Sequence, residues 1–119
     1  MRHHDELDEA FRLLAAADVV AFGGVGFAGA ILPVTEAYRR VEAAGAAARE
    51  RVEALLAKGT PAGRAYAAAL LDRIDPAAGR EAWRALSGAR EPVETFAGCI
   101  RGTEPLADYA AARLAPPPE

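Results

Sequence analysis

Apolar residues recur every three or four positions along most of the chain, and the recurrence fails in two places. From Asp5 to Ala17, Leu7, Phe11 and Leu14 form a stripe while Glu6, Glu9 and Arg12 fall off it, which predicts an amphipathic helix. Acidic residues crowd its first turn, where the positive end of the helix dipole favours them. From Thr35 to Lys58, one stripe runs through Tyr38, Val41, Gly45, Ala48, Val52 and Leu55. Thr35 reads as the N-cap of that helix, and Lys58-Gly59 as its basic last turn and terminator. Gly45 reads as a break, because glycine costs about 1 kcal/mol in a helix interior.

Two short motifs then mark consecutive helix starts. Thr60-Pro61-Ala62-Gly63 and Asp75-Pro76-Ala77-Ala78-Gly79 each place a short oxygen-bearing side chain directly before a proline. That is the pattern of an N-cap followed by proline at the first helical position. They predict helices over Pro61 to Ile74 and Pro76 to Leu86, the second stopped by Ser87-Gly88. Thr103 is read as the cap of a last helix through Pro105 to Leu114, followed by Pro116-Pro117-Pro118.

The first interruption, Asp18 to Val34, holds Gly23, Gly24, Gly26 and Gly29, too many for a stable helix. Its apolar run is short of the roughly twenty residues a membrane span needs. It therefore reads as an apolar, tightly turning loop. The second, Glu91 to Thr103, alternates weakly and carries β-branched residues, which predicts an extended segment near 93–100, as a bridge or hairpin. Together these elements predict an all-α domain of five or six short helices in stacked antiparallel hairpins. It spans 1–119, with a frayed start (1–4) and a proline-rich tail (115–119).

Composition narrows the function classes. The chain has 119 residues, enough for one modest core, and its 52% hydrophobic content is largely alanine. Trp83, Tyr66, Phe11 and Phe96 are the expected aromatic anchors. A net charge of −3 favours neither nucleic acid nor an anionic membrane, and Arg39, Arg40, Arg49, Arg51, Lys58 and Arg64 are offset by Glu42, Glu50 and Glu53. One cysteine excludes an intramolecular disulfide, and the polar first residues do not resemble a signal peptide, so a cytoplasmic location is expected.

No motif specifies a reaction. Gly24-Val25-Gly26-Phe27-Ala28-Gly29 matches G-x-G-x-x-G after a strand-like Val19 to Phe22, but Pro33 would break the helix that a dinucleotide site requires. Cys99, with Arg101 nearby, lacks a base, since His3 and His4 lie at the other terminus. Those adjacent histidines read as solvated, and neither a metal nor a cofactor is implied. Glu50, Glu53 and Asp72 look like solvated ion-pair positions beside Arg49, Arg51 and Arg73. If the chain holds a ligand or partner, the expected contacts are Gly24, Gly26, Phe27, Tyr38, Arg64, Thr95, Cys99 and Arg101, on or beside the loops. A pocket there would be lined by Phe22, Phe27, Phe96 or Cys99.

The run from Leu55-Leu56 through Thr60-Pro61-Ala62-Gly63, Tyr66-Ala67 and Leu70-Leu71 to Asp75-Pro76 resembles the paired helices of HEAT-like repeats. With Pro92-Val93 and Gly98-Cys99, it also resembles a group of bacterial helical proteins combining T-P-A-G-x-x-Y-A, D-P, P-V and a late G-C. This likeness implies a binding scaffold and transfers no catalytic residue. The chain holds barely two such repeats, so a full solenoid is excluded. The leading expectation is a non-enzymatic protein-protein interaction module, self-association into a homodimer being one way to cover apolar edges. The alternative is a small-molecule-binding protein or enzyme with a pocket between the Gly23–Gly29 loop and the Glu94–Gly102 segment. An immunity- or antitoxin-like partner is a third reading, resting on small size and acidity alone.

Overall fold

The computed structural model of the chain describes residues 2–24, 29–97 and 100–115, and the backbone alone for residues 2–6. In order, the elements are α1 (Arg2–Ala15), β1 (Val19–Val20), α2 (Pro33–Ala44), a 3-10 turn (Gly45–Ala48), α3 (Arg49–Lys58), α4 (Pro61–Ile74), α5 (Pro76–Leu86), β2 (Pro92–Ala97), β3 (Ile100–Pro105) and α6 (Leu106–Leu114).

The fold is mixed, not all-α: a three-stranded sheet ordered β1-β2-β3 stands beside the helices. β2 and β3 form an antiparallel hairpin, pairing Val93 with Glu104, Glu94 with Thr103 and Thr95 with Gly102. β1 joins β2 in parallel through Val19 with Glu94 and Val20 with Thr95. The expected extended segment is thus one strand of a sheet that reaches back to the start of the glycine loop. A strand of two residues leaves no periodicity to read, and its partner lies near the other end of the chain.

α4 is the centre of the molecule. Ala62, Gly63, Ala65, Tyr66, Ala67, Ala68, Leu70 and Leu71 are all buried, so the helix is covered on nearly every side. It packs against α1, α2, α3, α5, α6, β1 and β2. Small side chains permit that, since neighbouring backbones come close wherever alanine or glycine faces them. At Gly63 an added Cβ would collide with the Leu14 carbonyl of α1.

Both predicted starts on this helix pair hold. The Thr60 hydroxyl accepts the Gly63 N–H at 3.1 Å and donates to the Ala17 carbonyl at 2.6 Å. One side chain therefore caps α4 and ties it to the end of α1. Asp75 accepts the Ala77 N–H at 3.1 Å. Its carboxyl is held below the usual range, first by the Ala78 N–H and also by Arg49.

Three other expectations are corrected. Thr35 does not cap α2: Leu32 is the N-cap and Pro33 takes the first helical position, which frees the buried Thr35 hydroxyl for another partner. Thr103 lies in β3, and the first N–H groups of α6 are satisfied by backbone carbonyls instead, Leu106 by Glu91 and Ala107 by Ala89. Asp72 is not an exposed ion-pair position but accepts the Trp83 indole N–H at 2.7 Å, while Arg73 pairs with Glu42 at 2.9 Å. Tyr66, Phe11 and Trp83 are core residues, whereas Phe96 is half-buried at the sheet. Gly45 does divide the helix around it, at φ 61°.

Gly79 makes the sharpest test of the α4–α5 contact. A Cβ there would lie 2.6 Å from the Asp72 Cα, and the Asp72 carboxylate is pinned by Trp83. Glycine to alanine inside a helix ordinarily stabilises by about 1 kcal/mol. Gly79→Ala is expected to do the reverse, costing about 1–3 kcal/mol in urea denaturation, as overpacking does. Gly88→Ala, with open space around it, is expected to change stability by less than about 0.5 kcal/mol.

Candidate functional site

The glycine loop begins at a buried polar node. The Tyr66 hydroxyl, from α4, accepts the Ala21 N–H at 2.8 Å and donates to the Ala21 carbonyl at 3.1 Å. The Thr35 hydroxyl, from α2, donates to the same carbonyl at 2.6 Å. Tyr66 and Thr35 are both 0% exposed, so none of these groups has water as an alternative partner. Leaving one unpaired would cost about 1–3 kcal/mol.

This node fixes where the sheet stops. The β1–β2 ladder ends at Val20 and Thr95, and the backbone of the next residue, Ala21, is committed to α4 and α2. The chain is drawn towards the helices just as β2 continues through Phe96 and Ala97. Phe22 then lands on an aromatic cluster, its ring centroid 4.9 Å from Tyr38 and 5.3 Å from Tyr66, both edge-on. Edge-on pairs of this kind contribute about 0.5–1.5 kcal/mol each. Beyond them the loop closes tightly: a Cβ on Gly24 would lie 2.5 Å from the Gly29 carbonyl oxygen.

Between the diverging strands lies a cleft of about 460 Å³. One wall is Val20, Phe22, Gly23 and Gly24; the other is Thr95, Phe96 and Ala97 of β2 with Glu104 of β3. Tyr109 and Arg113 of α6 complete it. Pairing register puts Val20, Val93, Thr95 and Glu104 on one face of the sheet, since alternate residues share a face. Glu104 is therefore a half-buried carboxylate on the face that carries two buried valines. The Arg113 guanidinium lies over the Tyr109 ring, 4.2 Å from its centroid. Among the described residues, no salt bridge joins Glu104 to Arg113.

The expected site residues divide accordingly. Gly24 and Thr95 line the cleft, as do Phe22 and Phe96. Tyr38 does not: it is buried in the aromatic cluster behind Phe22. Arg64 is elsewhere, bound to Glu91 at 2.5 Å, and that hydrogen bond is the main reason the Glu91 carboxyl sits below the usual range. Arg101 bonds Glu94 through Nε at 2.7 Å, on the opposite face of the sheet. Gly26, Phe27 and Cys99 lie outside the described residues. Glu104, Tyr109 and Arg113 went unnoticed in the sequence because only the β2–β3 register and the docking of α6 bring them to the loop.

Among the described residues, no group of three or more His, Cys, Asp or Glu side chains is arranged to hold a metal ion. Nor is any helix among them long and apolar enough to cross a membrane. Neither a protein-family model, nor a curated protein, nor a solved structure matches the chain.

Burial pushes the Tyr66 hydroxyl up to about 12, and burial followed by Glu42 does the same for Tyr38. The unfolded chain releases these protons near 10, so the folded state holds them more tightly above that pH. Their contribution to stability is complete below about pH 10 and is lost as pH rises towards 12. Urea denaturation at pH 9 and pH 11 is expected to show that fall. Tyr66→Phe should cost about 1–3 kcal/mol at pH 7 and flatten the alkaline slope.

Proposed function

We propose that the chain is a binding module whose ligand occupies the cleft between the glycine loop and the β2–β3 hairpin, rather than a scaffold working through a helical face. One observation carries this reading: Phe22 to Gly24 and Thr95 to Ala97, from distant parts of the chain, form two walls of one concavity. Its volume falls within the roughly 300–1,000 Å³ typical of small-molecule sites. Apolar walls with a few polar groups are the usual composition of such sites, and Phe22, Val20 and Tyr109 supply apolar surface here. Binding is the role proposed because the cleft offers a carboxylate, two hydroxyls and a guanidinium without a paired nucleophile and base among the described residues.

A second reading, docking of a partner protein, is favoured by Ile100. It is 74% exposed at the start of the edge strand β3, where a large aliphatic side chain gains nothing from the fold. The two readings use different surfaces and separate in one experiment. In a small-molecule fragment screen followed by amide NMR, binders are expected to shift Phe22, Thr95, Phe96 and Tyr109 together. Phe22→Ala should weaken them about tenfold or more, whereas Ile100→Ser should leave them unchanged. Fragments that perturb only β3 and lose binding with Ile100→Ser would favour the partner surface instead.

A further inference from the structure

Resting on the cleft reading, we infer that its ligand is a small zwitterion with an apolar body, such as a free aromatic or aliphatic amino acid. Two charges line this one cleft and are not paired with each other among the described residues. Glu104 is an acid placed on the inner face of the sheet, next to buried Val93 in register. A carboxylate there is partly shielded from water and has four acceptor sites to fill, which suits an ammonium group. Arg113 lines the same cleft from α6, with its guanidinium over the Tyr109 ring. A guanidinium has N–H donors arranged to meet a carboxylate in a paired geometry. Phe22 lines the same cleft and offers ring surface to the rest of the ligand. Opposite charges lining one partly apolar cleft match an amine and a carboxylate carried on one apolar molecule.

An inward charge on an edge strand has another use, since it discourages pairing with a second chain. The test therefore separates the two roles. The probes are L-phenylalanine, N-acetyl-L-phenylalanine (no ammonium), phenethylamine (no carboxylate) and benzyl alcohol (neither), titrated into the whole chain by amide NMR. L-phenylalanine is expected to bind about tenfold or more tightly than any of the others. Glu104→Gln should abolish its advantage over the N-acetyl compound only, and Arg113→Gln its advantage over phenethylamine only, with the Phe22 and Thr95 shifts retained. Equal affinity for all four probes, with those shifts present, would overturn the zwitterion inference and leave the cleft reading intact. If no probe shifts the cleft residues, the zwitterion inference is overturned, while the cleft reading stands or falls by the fragment screen. Should Glu104→Gln produce oligomers in sedimentation while leaving probe preference unaltered, Glu104 is an edge guard and the inference is likewise overturned.

Discussion

Everything specific about this molecule turns on the Tyr66 hydroxyl and the backbone of Ala21. Inside an alanine-rich core a phenol has few ways to satisfy its polar end, and here it takes both the N–H and the C=O of one residue. Thr35 reinforces the carbonyl from a second helix. An unpaired amide in that position would be costly, so the three groups hold one another in place. The consequence is geometric. The strand that begins at Val19 stops after Val20, the loop turns outward over Tyr38 and Tyr66, and a cleft opens against β2.

The helical frame makes that node possible. α4 is buried on nearly all sides because its small residues let its neighbours approach closely, and Tyr66 is the one large polar side chain in its buried set. Thr60 caps its start and Asp75 the start of α5, and the close approaches at Gly63 and Gly79 leave little freedom in how α1 and α5 sit against it. Partly exposed ion pairs such as Arg49–Asp75 and Arg51–Asp8 connect elements near the surface. Pairs of this kind contribute little individually, typically 0–1 kcal/mol, so the arrangement rests on packing and buried hydrogen bonds.

How much of this could be read from the chain depended on whether a signal was local. Pro61–Ile74 and Pro76–Leu86 were legible to the residue, because cap and proline act within one turn. The sheet was not, since a two-residue strand has no pattern and its pairing with Glu94 and Thr95 is a tertiary event. Thr35 and Thr103 show the same limit from the other side: each has the chemistry of a cap, yet a buried carbonyl recruited one and a strand register the other. The location of the cleft was legible, from glycines facing an extended segment. Its charged members were not, because Glu104 and Arg113 become neighbours of the loop only after the hairpin and α6 have docked.

Native-state hydrogen exchange at the Ala21 amide tests the central claim most directly. If the Tyr66 hydroxyl anchors the loop, this N–H exchanges only when α4 itself opens, with a protection free energy matching that of the Leu70 amide in the middle of the helix. An Ala21 amide that exchanges as fast as its neighbour at Gly23, while Leu70 stays protected, would show that the node opens independently of the core and would contradict the account.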